Sequence, residues 1–323
     1  MSVLIPNTLG LEARTNNYFE YAGEGELAAC LANAPKPWLP VGAGSNLLFS
    51  KPLFEGSVFR CTDTSWEASF GSGYVRVRVG AGMRWDDFVR LCVDNGWYGA
   101  ENLSLIPGDV GAAAVQNIGA YGAEAGNLVS SVEVYDTEEG LSRVFFPDEC
   151  EYDYRSSIFK KSGKRYFVLK VVFKLSLCPA FRLEYGNLRA MVEGEPTLQK
   201  VRDAVIATRQ SKLPDPEVIG SAGSFFMNPV VSREQFEALK AAYPEMPSYP
   251  AAGGVKLSAG WLIDRAGCKE MSVGDAAVYE KHALIIINRG HASGGDVLQL
   301  ASEIIEKVES AFGVRLRPEV ETV

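Results

Sequence analysis

Apolar and polar positions alternate through Tyr74-Val-Arg-Val-Arg-Val79, so Val75, Val77 and Val79 share one face of a half-buried strand. Gly80-Ala-Gly82 ends that strand, and Trp85, Phe88, Leu91 and Cys92 then recur at helical spacing. Similar patterns predict a helix over 24–32, a strand over 38–41, and strands over 131–135 and 166–175. A helix over 201–210 runs into Lys212-Leu-Pro-Asp-Pro216, which cannot continue it and marks the best domain boundary. Beyond it the pattern predicts helices over 232–243 and 297–312 and strands over 283–288 and 314–320. In the last helix Val297, Ala301, Ile304, Val308 and Phe312 form one apolar stripe. The fold class is therefore α+β, in at least two units.

A chain of 323 residues exceeds what one core usually serves, which agrees with several domains. Lys and Arg number 32 against 40 Asp and Glu, a net charge of −8. With no basic run, non-specific nucleic-acid binding is excluded, although a few placed cations can still hold an anionic ligand. Six scattered cysteines without a C-x-x-C pair read as reduced thiols. Only His282 and His291 are present, so no metal site is expected. The first residues lack a signal-peptide pattern. The longest apolar run is five residues, Ala283 to Ile287, far short of a span. A cytoplasmic protein without a membrane partner is expected.

Two glycine loops carry the candidate chemistry. In Val41-Gly-Ala-Gly-Ser-Asn46 the position of a third fingerprint glycine is Leu47, and no helix opens after it, so a Rossmann dinucleotide site fails. What remains is a turn, plain or an anion-binding nest. The second loop, Ile106-Pro-Gly-Asp-Val-Gly-Ala-Ala-Ala-Val-Gln-Asn-Ile-Gly-Ala-Tyr-Gly122, is dense in small residues that let backbone approach something flat or charged. Gln116 and Asn117 offer amides to a heteroaromatic edge. The competing reading is a glycine-rich packing seam.

These loops occur in order with Tyr154-Arg-Ser-Ser-Ile-Phe159, Lys212-Leu-Pro-Asp-Pro216, Gly223-Ser-Phe-Phe226, Asn228-Pro229, Ala259-Gly-Trp-Leu-Ile-Asp264 and Pro318-Glu-Val320. Together they resemble the UDP-N-acetylenolpyruvoylglucosamine reductases (MurB), flavoenzymes of bacterial peptidoglycan synthesis, over nearly the whole chain. The resemblance implies a two-part FAD-binding domain of the vanillyl-alcohol-oxidase (PCMH) type and a C-terminal α+β substrate-binding domain. Its parts would be 1–56 joined by 313–323, then 57–212, then 213–312. It implies non-covalent FAD, NADPH as reductant, and reduction of UDP-N-acetylglucosamine enolpyruvate, a UDP-sugar, to UDP-N-acetylmuramate by a monomer.

Delivering hydride to a vinyl carbon leaves an enolate that must be stabilised and protonated. The resemblance assigns Arg155 to clamp the carboxylate, Glu319 as the second stabilising group, and Ser224 as proton donor. Glu319 would donate if burial raised its pKa; Ser224, a weak acid, needs a polarising neighbour. Taken alone, these residues read as a surface ion pair, a solvated charge and a turn serine. The resemblance further implies FAD contacts from Val41, Gly42, Ala43, Gly44, Ser45 and Asn46. The second loop would add Ile106, Pro107, Gly108, Gly111, Ala113, Gln116, Asn117, Gly119, Ala120, Tyr121 and Gly122. Lys212 and Asn228 match the diphosphate contacts, His282 lies near substrate, and Tyr185 matches the tyrosine that folds over substrate in the type I subclass.

Three departures bear on affinity. Ala112-Ala-Ala114 stands where hydroxyl residues are frequent, Met227 where lysine is frequent, and His282 where glutamine is frequent. Two rivals remain: an FAD-dependent oxidase or dehydrogenase of a sugar alcohol or lactone, and a silent nucleotide-binding protein. Covalent tethering through histidine is not expected, because both histidines lie outside the glycine loops.

Overall fold

The computed structural model describes residues 2–323. The chain packs into two compact units, neither of them contiguous in sequence. One comprises the N-terminus to Val3, Thr15–Ala43 and Glu55–Ser211; the other comprises Leu4–Arg14, Gly44–Phe54 and Lys212–Val323.

The first unit is built on a five-stranded antiparallel sheet in the order Leu141–Phe145, Val129–Asp136, Tyr166–Ser176, Tyr74–Gly80, Trp66–Gly71. The register sets Val75, Val77 and Val79 opposite Leu175, Phe173 and Val171, and all six are buried. Helices Trp85–Asp94 and Val110–Gln116 supply the other half of this core, with Phe88 stacked on Phe173 at 4.5 Å between centroids. Burying each such ring contributes about 2 kcal/mol. A smaller core gathers Phe59 against Phe19, Trp38 and Phe167, under helix Glu24–Leu31. There Trp38–Pro40 runs parallel to Leu53–Cys61 and leads into the first glycine loop.

In the second unit a sheet orders Gly220–Ser224, Ile285–Asn288, Ala276–Val278 and Ser272–Val273. Helix Gly294–Phe312 buries Val297, Leu300, Ala301, Ile304, Val308 and Phe312. Ser293 and Asp296 form its capping box, and Gly313 at φ 63° ends it. A separate three-stranded sheet joins Val230–Val231, Gly254–Leu257 and Ser248–Ala251.

Two sequence expectations need correction. Residues 314–320 bury Val314, Leu316 and Val320 alternately, as a strand would, yet they pair only through isolated contacts. Pro318 has no N–H to give a ladder, and the regular pairing starts later, where Glu321–Thr322 runs parallel to Leu47–Leu48. The second glycine loop is not all loop either: Val110–Gln116 is helical, in keeping with its alanines.

Candidate active site

The second glycine loop is pinned at its entrance. Leu105 sits in the left-handed region at φ 58°, its N–H donating to Asp86 Oδ1 at 2.5 Å and its carbonyl accepting from Arg209 Nε at 3.2 Å. Gly108 follows at φ 127°, a conformation that excludes a side chain. The short helix Val110–Gln116 then packs by its backbone. A Cβ on Gly111 would lie 2.8 Å from the Cβ of Ala81, and the Gly111 N–H donates to the Ala81 carbonyl at 2.9 Å.

The loop ends in a two-residue hairpin, Gly119–Ala120 against Ala123–Glu124, with Tyr121 and Gly122 at φ 49° and 78°. Paired left-handed residues match the twist of such a hairpin. Tyr121 thereby presents its ring edge-on to Tyr185, 5.8 Å away, and Tyr185 is exposed. Arg155, itself at φ 54°, lays its guanidinium on this hairpin: Nη2 donates to the Gly119 carbonyl at 2.5 Å and Nη1 to the Asn117 carbonyl at 3.4 Å. A Cβ at Gly119 would stand 2.9 Å from Nη1, so the glycine makes room for the arginine.

The side-chain amides at 116 and 117 make hydrogen bonds within the protein. Asn117 is buried; its Nδ2 donates to the Asp153 carbonyl and Glu124, and its Oδ1 accepts from Gly126 N–H. Gln116 Oε1 accepts from Lys160 Nζ at 2.7 Å. These bonds brace the loop.

Pattern reading passed over Arg209 and Asp109. Arg209 lies near Tyr121, Asp86 and Arg155; burial pushes its pKa down, Tyr121 and Asp86 oppose this, and Arg155 adds to it. Its only sequence signal is its position three residues before the Lys212 motif. Asp109 is buried, and burial raises its carboxyl to about 6 against the pull of Arg60 and Arg84. It faces the first loop: a Cβ at Gly42 would lie 2.9 Å from Asp109 Oδ2. Val41, ahead of it, is buried and donates its N–H to Phe59.

The second unit carries the remaining candidates. Ser224 ends strand Gly220–Ser224 opposite Ile285, just after Gly223 at φ 72°. The Phe225 carbonyl accepts from Glu319 N–H at 2.8 Å, Phe226 bridges Pro318, and Met227 N–H donates to Arg317. Ser224 and Glu319, far apart in sequence and both half-buried, are thus brought onto adjacent segments. Asn46 joins them, its Nδ2 donating to the Glu319 carbonyl at 3.3 Å and its own carbonyl accepting from Glu321 N–H. Gly44, at φ 67°, would put a Cβ 2.1 Å from the Pro6 carbonyl oxygen, so only glycine fits that turn.

Nearby in this unit, Asn228 Oδ1 accepts from Ala259 N–H at 2.9 Å. A Cβ on Gly260 would lie 3.9 Å from His282 Cε1. Burial lowers the His282 pKa, and the neighbouring Lys212 charge lowers it further, so the imidazole is neutral at pH 7. Among the described residues no group of three His, Cys, Asp or Glu side chains could hold a metal ion. Likewise, no helix there is long and apolar enough to cross a membrane.

The glycine hairpin, with unhindered backbone at Gly122, an aromatic rim at Tyr121 and the Arg209 guanidinium close by, fits a flat anionic cofactor such as FAD. Comparison with known proteins agrees. Residues 19–143 match an FAD binding domain family, and residues 215–323 match the family described as UDP-N-acetylenolpyruvoylglucosamine reductase, C-terminal domain. The UDP-N-acetylenolpyruvoylglucosamine reductase of Bacteroides fragilis is 47% identical over 99% of this chain and 98% of its own length. That of Porphyromonas gingivalis is 45% identical over 98% and 96%. Among solved structures, the enzyme of that name from Thermus caldophilus is similar with a TM-score of 0.70 at 26% identity, covering 100% of this chain and 98% of its own. A solvent-stable cholesterol oxidase has a TM-score of 0.51 at 11% identity over 98% of this chain and 86% of its own, a likeness of fold alone.

Proposed function

Because the chain belongs to the UDP-N-acetylenolpyruvoylglucosamine reductase family, we propose that its residues reduce the enolpyruvyl group of UDP-N-acetylglucosamine enolpyruvate in the following way. FAD, when bound, supplies the hydride, which it receives from NADPH. The chain's own work is to hold the substrate and manage charge and a proton. Arg155, held on the Gly119 carbonyl, supplies positive charge to the substrate carboxylate, where negative charge grows as the vinyl carbon is reduced. Ser224 holds the proton on Oγ that the resulting carbanionic carbon takes up. Glu319 is the second group on that charge. Lys212 and His282, a cation beside a neutral imidazole, take the diphosphate end, together with Asn228. Tyr185 covers the bound nucleotide sugar.

The FAD-binding part is assigned to 1–56 with 313–323 and to 57–212, and the substrate-binding part to 213–312. Arg209 is added to the flavin-facing residues, since its half-buried charge stands beside Tyr121. A soluble cytoplasmic monomer completes the reading. The observation that carries it is the pairing of Glu319 N–H with the Phe225 carbonyl, which sets the acid next to Ser224. The test is NADPH oxidation by the FAD-loaded protein. It should depend on the enolpyruvyl substrate and fall by about a hundredfold or more in Arg155→Ala and Glu319→Gln. Oxidation at full rate without that substrate would overturn the proposal.

A further inference from the structure

Asn102 has no role in the chemistry above, yet it is 1% exposed and lies against the glycine hairpin. It sits in the helical turn Glu101–Leu103 that follows helix Trp85–Asp94. That turn is rigidly held: Trp85 Nε1 donates to the Leu103 carbonyl at 2.9 Å, and Glu101 accepts from Gly99 N–H at 2.7 Å. From this base the Asn102 amide donates both hydrogens, one to the Tyr121 carbonyl and one to the Arg182 carbonyl, each at 2.8 Å. Its Oδ1 is enclosed and has no partner, so the two donor bonds define the orientation of the amide.

The two acceptors belong to segments with little regular structure. Tyr121 is the left-handed residue at the hairpin tip, and Arg182 lies in the irregular stretch 177–187 that carries Tyr185. That stretch is also held by Phe181 against the Tyr98 ring, by buried Leu183 and by the edge-on contact of Tyr185 with Tyr121, whereas Tyr185 itself is 57% exposed. One buried amide therefore ties the cofactor-side tyrosine and the substrate-side tyrosine to the same support. We infer that Asn102 is a positioning residue that sets the Tyr185 segment relative to the Tyr121 hairpin, and so governs how tightly the UDP-sugar is held. The inference rests on the reading of Tyr185 as a substrate contact.

The experiment is a double-mutant cycle on the FAD-loaded, full-length protein with Asn102→Ala, Tyr185→Ala and the pair. Steady-state kinetics with UDP-N-acetylglucosamine enolpyruvate are combined with trypsin cleavage after Arg182 in the absence of substrate. Asn102→Ala should raise KM about tenfold, with kcat changed far less. In the Tyr185→Ala background the same substitution should add less than about twofold, and cleavage after Arg182 should accelerate. An equal KM effect in both backgrounds would show that Asn102 does not act through Tyr185 and would overturn the inference, as would unchanged KM and cleavage. If Tyr185→Ala alone leaves KM unaltered, the Tyr185 reading falls separately, and the cleavage rate decides whether Asn102 anchors the segment. Should Asn102→Ala not yield folded protein, Asn102→Ser, smaller, uncharged and able to donate only one hydrogen, is measured in its place.

Discussion

Replacing Asp86 by asparagine removes one charge from a partly buried cluster at the entrance of the second glycine loop. Asp86 meets Arg202 in a two-pronged pair at 2.8 and 2.7 Å and accepts from Leu105 N–H at 2.5 Å. Burial alone would raise the Asp86 carboxyl, but the Arg202 and Leu105 hydrogen bonds outweigh it and hold the pKa below the ordinary range. The side chain of Arg202 is 9% exposed and that of Asp86 24%. Leaving a buried cation unpaired costs about 3 to 5 kcal/mol, and the water reaching Asp86 argues for about 3. Calorimetry or a thermal scan of the purified protein should therefore show the melting transition lowered by roughly 6 to 12 °C. The second change Arg202→Met, made in the asparagine background, should return at least about 1 kcal/mol, because no unpaired charge is left buried. Since the folded pKa is depressed, this contribution is present above the unfolded value and lost as pH falls through the folded one, so the two proteins should converge under acid conditions. A loss below about 1 kcal/mol at neutral pH, or no recovery in the double variant, would refute the reasoning.

Other positions give independent checks. Ser224→Ala should slow overall turnover by about a hundredfold or more while leaving flavin reduction by NADPH intact, as stopped-flow absorbance would show. Asp109 is a carboxyl raised to about 6 by burial, against Arg60 and Arg84. Its ionised form is penalised in the fold, so it costs stability increasingly as pH rises from the unfolded pKa, about 4, to about 6. Asp109→Asn should consequently raise the urea midpoint at pH 8 and change it little at pH 4; a larger gain at pH 4 would refute this. Gly111→Ala places a methyl 2.8 Å from Ala81 Cβ, so helix Val110–Gln116 must move, at about 1 to 3 kcal/mol and with loss of FAD occupancy by absorbance. Gly295→Ala, whose Cβ meets nothing closer than 3.5 Å, is the control that should retain both stability and flavin.

Elements with a clean period were legible in the sequence. Alternation through Tyr74–Gly80 and the apolar stripe of Gly294–Phe312 specify both the element and the buried face. Alternation misled at 314–320, where burial is alternate but Pro318 and isolated bridges prevent a ladder. The motif residues Arg155, Ser224 and Glu319 stood out only through family likeness, because nothing local distinguishes a half-buried guanidinium or serine from a surface one. Asn117 carries a structural role that no pattern suggested: its bonds to the distant Asp153 and to the nearer Glu124 and Gly126 brace the loop. Asn102, Asp86 and Arg209 were invisible for the same reason, since their partners lie far away in sequence.

The central claim, a flavin reductase acting on an enolpyruvyl UDP-sugar, is tested most directly by anaerobic absorbance of the FAD-loaded protein. NADPH is added first and UDP-N-acetylglucosamine enolpyruvate second. The account predicts that NADPH bleaches the visible flavin band and that the second addition restores it with formation of UDP-N-acetylmuramate. Bleaching that persists after the enolpyruvyl compound is added would contradict the account.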